Sequence, residues 1–173
     1  MRGRSVADPG SNLVRPTGSK VRQALFNILC SQVSGCRFLD LFAGSGIVGF
    51  EAASRYAASV VFIEENPRLV RRIGLNLEKL GLTAQVIAGD VRLAIPELTG
   101  RLFDIVFADP PYESRLPLST LALVDRHEVL ASRGTLVIEH ATHLLMPERK
   151  GKLRRAGFRR YGQTALSFYR SRE

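Results

Sequence analysis

Five short runs rich in β-branched and aromatic residues recur along this chain, at 37-RFLDLF-42, 59-SVVFIE-64, 84-AQVIA-88, 103-FDIVFA-108 and 135-TLVIE-139. The stretches between them carry helical periodicity, and strands that alternate with helices pair in parallel through crossovers. Near-continuous apolar runs of this kind belong to strands buried on both faces. The expected fold is therefore an open α/β sheet, mostly parallel, with helices on both faces. No repeat or low-complexity linker interrupts the pattern, and 173 residues fit one domain. A basic segment over residues 1–18 precedes the domain proper, expected over 19–173.

The helices are legible from spacing and caps. Val21, Ala24, Leu25, Ile28 and Leu29 fall on one face, which predicts a helix over 19–31 ahead of the first strand. A second is expected over about 45–56. For the third, Asn66 is the cap, Pro67 suits the first turn, Leu69, Val70, Ile73 and Leu77 form the buried stripe, and Gly81 is the stop. Asp90 caps a fourth, and a fifth lies near 117–130. Two last strands, near 157–161 and 165–170, are joined by a short turn and so form an antiparallel end pair. That makes a seven-stranded sheet whose last strand is antiparallel.

In such sheets ligands bind at the carboxyl ends of the strands, so polar residues there call for a chemical reading. The first strand runs into 40-DLFAGSGIVG-49, where Gly44, Gly46 and Gly49 form G-x-G-x-x-G. Glycines in that turn allow tight backbone and close approach of a nucleotide to a helix N-terminus. Glu64, twenty residues after Gly44, ends the second strand, where a carboxylate can accept from two ribose hydroxyls. These features alone also fit a dinucleotide dehydrogenase. Asp40 favours another ligand, because a pyrophosphate gains nothing from a carboxylate while a cationic ligand with an amino group does. Asp90 is placed to accept from an adenine amino group as well as to cap its helix.

The fourth strand leaves through 109-DPPY-112. An exocyclic amino nitrogen on a nucleobase is a poor nucleophile, since its lone pair is delocalised into the ring. Two fixed acceptors, the Asp109 carboxylate and the Pro110 carbonyl, would favour the pyramidal nitrogen that attacks a methyl sulfonium. Pro110 and Pro111 restrict the backbone, and Tyr112 offers a stacking surface for a flipped base. Positioning then supplies most of the rate, with no metal and no covalent intermediate.

Net charge is +9 and unevenly spread: residues 1–22 carry +4, residues 149–173 carry +8 and the middle carries −3. Basic ends around a near-neutral body point to a polyanion, with nucleic acid the expected partner. Cys30 and Cys36 lack metal-site spacing and read as reduced thiols, and His140 with His143 reads as a polar loop after a strand. The opening MRGRSVADPG has no apolar core of a secretory signal, so a cytoplasmic protein is expected.

DLFAGSG, Glu64, Asp90 and DPPY together resemble the class I S-adenosylmethionine-dependent methyltransferases of base amino groups, a Rossmann-like fold. More specifically, 15-RPTGSKVRQALFNIL-29, 40-DLFAGSGIVGFEAASR-55, 109-DPPY-112 and 161-YGQTALSFYR-170 resemble the RsmD family, which methylates guanine N2 in small-subunit ribosomal RNA. The resemblance spans almost the whole chain and implies the strand order 3-2-1-4-5-7-6 and a monomer. It also implies S-adenosylmethionine held by Asp40, Phe42, Ala43, Gly44, Gly46, Glu64, Asp90, Val91 and Asp109, with a guanine at Asp109, Pro110, Pro111 and Tyr112. Ribosomal RNA would run along Arg15, Thr17, Lys20 and Arg22 and along Arg154, Arg155, Arg159 and Arg160. Two other readings of the residues stay open: an adenine-N6 methyltransferase on RNA or DNA, because DPPY suits either amino group, and a non-catalytic nucleic-acid-binding module of the same fold.

Overall fold

The computed structural model describes residues 18–111 and 115–171. Its strands are β1 Arg37–Leu41, β2 Ser59–Glu64, β3 Gln85–Ala88, β4 Phe103–Ala108, β5 Leu130–Ala141, β6 Arg149–Lys150, β7 Leu153–Tyr161 and β8 Thr164–Ser171. Its helices are α1 Ser19–Leu29, α2 Ile47–Ser54, α3 Pro67–Leu80, α4 Val91–Glu97 and α5 Leu116–Arg126. All eight strands join in one sheet of order β3-β2-β1-β4-β5-β8-β7-β6. β1 to β5 run parallel, β8 pairs antiparallel with β5, and β7 and β6 continue antiparallel. This is the expected class I order, with one strand more than the seven expected. The addition, β6, has two residues, too few for any periodicity to show.

Strand alternation divides the interior into two layers. Phe38, Val60, Phe62, Ile105 and Phe107 face one side, where Leu25 and Phe26 of α1, Phe50 of α2 and Ile73 of α3 cover them. Leu39, Val61, Ile63, Val106 and Ala108 face the other, under Val91 and Ile95 of α4 and Leu121 and Val124 of α5. Each large apolar side chain so buried contributes about 1.5–3 kcal/mol, which is why β1, β2, β4 and β5 read as continuous apolar runs, whereas the edge strand β3 buries none of its residues fully. The best-delimited helix has the expected ends: the Asn66 side chain accepts from Arg68 N at 3.0 Å, Pro67 opens the first turn, and Gly81 closes it at φ 63°.

Several element ends differ from the sequence pattern, and β5 and β7 begin early where the two-residue period is interrupted. α5 stops at Arg126 rather than near 130, and β5 begins at Leu130 rather than 135. Phe103 N donates to Val129 O at 2.8 Å, so the early apolar residues pair with β4, and the register then shifts past Arg133, whose φ is 63°. Similarly β7 starts four residues early, because a bulge between Arg155 and Gly157 breaks the alternation that would have revealed it.

The glycine motif is largely a packing device. A methyl group on Gly49 would lie 2.2 Å from Phe62 Cε1, and one on Gly46, whose φ is 77°, would lie 2.8 Å from Phe50 Cε2. Close approach of α2 to β2 therefore requires Gly49, while Gly46 leaves room for Phe50 of α2 and Ile73 of α3. Gly49→Ala should destabilise the fold by about 1–3 kcal/mol through overpacking, read as a lower urea midpoint with unchanged slope. Wild-type stability of that variant would mean that α2 can move off the sheet.

Candidate active site

The carboxyl ends of β1 to β4 open into one cleft of about 910 Å³. It lies where crossovers diverge, since α2 and α3 return over one face and α4 and α5 over the other. β1 brings Asp40 and, beyond its end, Phe42, Ala43 and Gly44 into the lining; β2 brings Glu64. β3 leads to Asp90 and Val91, and β4 to Asp109, Pro110 and Pro111. Of the sequence-derived cleft residues that are described, Gly46 faces away, into Phe50 and Ile73, and so does the third glycine of the motif, Gly49, into Phe62. Tyr112 lies outside the described residues, as do Arg15 and Thr17.

The loop after β1 is wound tightly. Phe42, Gly44 and Gly46 all have positive φ, at 60°, 57° and 77°, and for Phe42 this is a strained conformation costing on the order of 1 kcal/mol. Glu64 holds it in place. One carboxylate oxygen accepts from Gly44 N at 2.6 Å and the other from Asn66 N at 2.8 Å, so a single buried side chain joins the loops after β1 and β2. A carboxylate has about four acceptor positions, so each oxygen can take a further donor from the cleft.

Asp40 is buried at 1% exposure and accepts from Gly49 N at 2.9 Å. Gly49 is the third residue of α2, one of the N-terminal N–H groups without an intrahelical partner, and Gly46 has no side chain to cap it. Asp40 thus caps α2 from the strand beneath it, β1. Burial nevertheless pushes its pKa up to about 8; the Gly49 bond opposes the rise, while the charges of Asp109 and Glu64 add to it. Three carboxyl groups are therefore coupled around one cavity.

Asp90 caps α4 through Arg92 N at 2.7 Å, as expected, and also forms a two-pronged ion pair with the Arg92 guanidinium. That pair holds its carboxyl below the usual range. Arg92 was not singled out by the sequence, and it makes Asp90 a shared acceptor rather than an open one. Val91, first in α4, offers a backbone N–H with no intrahelical acceptor beside it. Five carboxylic acids, Asp40, Glu64, Glu65, Asp90 and Asp109, line the cleft against one arginine among the described residues.

The two histidines separate. His140 is not in a loop: it belongs to β5, is buried, donates from Nδ1 to Ala141 O at 2.9 Å and accepts at Nε2 from Ser167 Oγ at 2.8 Å. Burial lowers its pKa and keeps it neutral. The signal was its even spacing from Leu136 and Ile138, which share its face. His143, in the loop after β5, reaches the cleft. No cluster of metal-ligating side chains occurs among the described residues.

Of the basic residues singled out, Lys20 and Arg22 lie on α1, with Lys20 exposed. Arg154, Arg159 and Arg160 are exposed on β7. Arg155 is different. Half-buried, it donates from Nη1 to Met146 O at 2.9 Å and pairs with Glu148 at 3.5 Å, anchoring the loop between β5 and β6.

Sequence and fold comparisons agree with this architecture. Residues 1–170 match a family described as conserved hypothetical protein 95. Bacillus subtilis YlbH is 34% identical over 175 residues, spanning 99% of this chain and 95% of that one. Ribosomal RNA small subunit methyltransferase D of Escherichia coli K12 is 34% identical over 138 residues, 80% of this chain and 70% of that one. A solved structure of a hypothetical protein from Thermus thermophilus superposes with a TM-score of 0.82 at 33% identity, covering 96% of this chain and 93% of the other.

The raised pKa of Asp40 has a thermodynamic consequence. The folded protein keeps a proton on Asp40 up to about pH 8, while the unfolded chain releases it near the ordinary value of 3.8. Folded molecules therefore bind more protons between these limits, and Asp40's contribution to stability falls as pH rises from about 4 to about 8. Asp40→Asn retains an acceptor for Gly49 N and removes the charge. The difference in Tm between the variant and wild type should grow in the variant's favour across that window, measured without ligand; a constant difference would show that Asp40 is ionised throughout.

Proposed function

Because the chain belongs to the RsmD family, we propose that it transfers a methyl group from S-adenosylmethionine to the exocyclic N2 amino group of a guanine in small-subunit ribosomal RNA. The observation that carries this reading is electrostatic: a cleft lined, among the described residues, by five acids in a chain of net charge +9. With Asp40 raised to about 8 by burial and by its acidic neighbours, the cavity suits a cationic ligand. A pyrophosphate-bearing dinucleotide is the wrong sign for it. S-adenosylmethionine carries a sulfonium and an ammonium, two ribose hydroxyls and an adenine.

The residues divide the work accordingly. Asp40, ionised once a cation is near, would accept from the ligand's ammonium, and the strained Phe42–Ala43–Gly44 backbone would pass beneath it. Glu64, its orientation fixed by Gly44 N and Asn66 N, would take the two ribose hydroxyls on its remaining acceptor sites. Val91 N–H and Asp90, the latter shared with Arg92, face the adenine. When bound, the cofactor supplies a methyl group made electrophilic by its sulfonium. Asp109 and the Pro110 carbonyl would accept the two N–H bonds of the base amino group and hold its lone pair on the methyl. As that nitrogen gains positive charge, the Asp109 carboxylate stabilises it, and the surplus proton departs to solvent. Guanine rather than adenine rests on the family relation, since these two acceptors suit either base.

Incubating the protein with labelled S-adenosylmethionine and small ribosomal subunits that lack the modification should yield labelled N2-methylguanosine. Labelled N6-methyladenosine instead would replace the substrate base, and labelling of neither would overturn the reading. Asp109→Ala and Asp109→Asn should each lower the single-turnover rate by about a hundred- to a thousand-fold while cofactor affinity changes less than about ten-fold. Glu64→Ala should do the reverse, weakening the cofactor by about ten- to a hundred-fold in calorimetry. A near-wild-type rate for both Asp109 variants would remove that carboxylate from the chemistry.

A further inference from the structure

Residues 149–171 contain eight Lys or Arg and no acid. Three of the eight are committed to the fold or half-committed: Lys152 pairs with Glu128, Arg155 holds Met146 O, and Arg149 donates to Gly151 O. Arg159 and Arg160 bond backbone carbonyls, of Phe158 and Gly162, which leaves their charge unneutralised. In the middle of this ribbon stands Phe158, 43% exposed. An aromatic ring on an exposed strand among arginines gains little for the fold.

The ring is nevertheless held. It packs on the imidazole of His140 with centroids 6.2 Å apart, and that imidazole is buried and fixed by Ser167 and Ala141. The Arg155 guanidinium, itself tied to the loop between β5 and β6, lies 6.0 Å from the ring centroid. Phe158 is therefore an oriented ring supported from within the protein.

Its position is set by strand register. Ala108 pairs with Ile138, Ile138 with Ser167 and Ser167 with Phe158, so the four lie in one row across β4, β5, β8 and β7. Asp109 follows Ala108 directly. Three strand spacings of about 4.8 Å put Phe158 about 14 Å from the head of DPPY, the length of about four stacked nucleotides. The side chains of this row share the face that carries α4 and α5, and on β7 Arg160, two residues on, shares it too. Between the cleft and Phe158 runs the loop 142–148, with His143 in the cleft and Met146 and Pro147 bound to Arg155 and Tyr169.

We propose that Phe158 is a stacking platform for an unpaired nucleotide of the RNA substrate a few residues from the methylated base, with Arg160 on the adjoining phosphate. This rests on the function proposed above, and it adds that the target must be presented beside single-stranded RNA. Stacking is sequence-tolerant, since every base has a π face, so Phe158 fixes distance and path rather than sequence.

The probe is a twelve-nucleotide single-stranded RNA carrying 2-aminopurine, whose fluorescence is quenched by stacking. Wild type should bind and quench it. Phe158→Leu, which keeps His140 covered without a ring, and Phe158→Ala should weaken binding by about five- to a hundred-fold and lose the added quenching, while Phe158→Trp restores both. The dependence of log affinity on log salt should be unchanged in the Phe158 variants and shallower by about 0.7 in Arg160→Gln, because only the arginine displaces counterions. With ribosomal subunits, Phe158→Leu should raise KM and leave kcat within about two-fold. Equal affinity and KM for Phe158→Leu and wild type would overturn the platform while methyl transfer stood. A wild type that binds and quenches the oligonucleotide but transfers no label would overturn the enzymatic reading and keep the platform.

Discussion

The Asp40 carboxyl, inside the sheet at the end of β1, is the contact around which the site is arranged. It caps the third N–H of α2 because the helix begins at a glycine, and that glycine is there because Phe50 and Ile73 leave no room for a Cβ. A packing demand thus creates an uncapped helix end, and the helix end creates a use for a buried acid. Burial in turn makes that acid hard to ionise until a cation arrives. The cap on α2 and the proposed ligand contact thus fall on one side chain, and an isosteric amide at position 40 is the change that would remove the charge while leaving an acceptor for Gly49 N.

Two electrical regimes follow from this arrangement. The surface at the far edge of the sheet is basic, while among the described residues the cleft gathers five acids around one arginine. Under the proposed function, a polyanion would be drawn to the edge and kept out of the cleft except where an uncharged base enters. In that reading the acids that would repel phosphate would also stabilise a sulfonium, so that cofactor and polynucleotide would be sorted to different regions by sign. Glu64 keeps the cofactor side rigid by joining two loops.

The strands beyond β5 connect these regimes. β8 and β7 extend the sheet away from the cleft in register, so that a row beginning at Ala108 ends at Phe158. Parallel strands alone would have required further crossover helices over that edge. An antiparallel hairpin extends the sheet without them and leaves the face of β7 open for exposed arginines and an exposed ring.

Much of this protein was legible in the amino-acid sequence. Buried parallel strands announce themselves as apolar runs, the third helix carries both of its caps, and polar residues at strand ends fall in one cleft once strand order is known. The family resemblance and the strand order needed no coordinates. What tertiary structure decided were matters of direction and proximity. Spacing cannot tell whether a glycine faces a ligand or a neighbouring ring, and Gly46 and Gly49 proved to face Phe50 and Phe62. Nor can it tell that Arg92 occupies Asp90, that His140 lies within a strand while His143 reaches the cleft, or that Arg155 is spent on the fold. A bulge in β7 hid its first four residues, and a register shift hid the start of β5, because each breaks the period that makes a strand visible. Local pattern records which residues are buried; which partner each one meets is fixed only when distant segments come together, since that choice is made by packing.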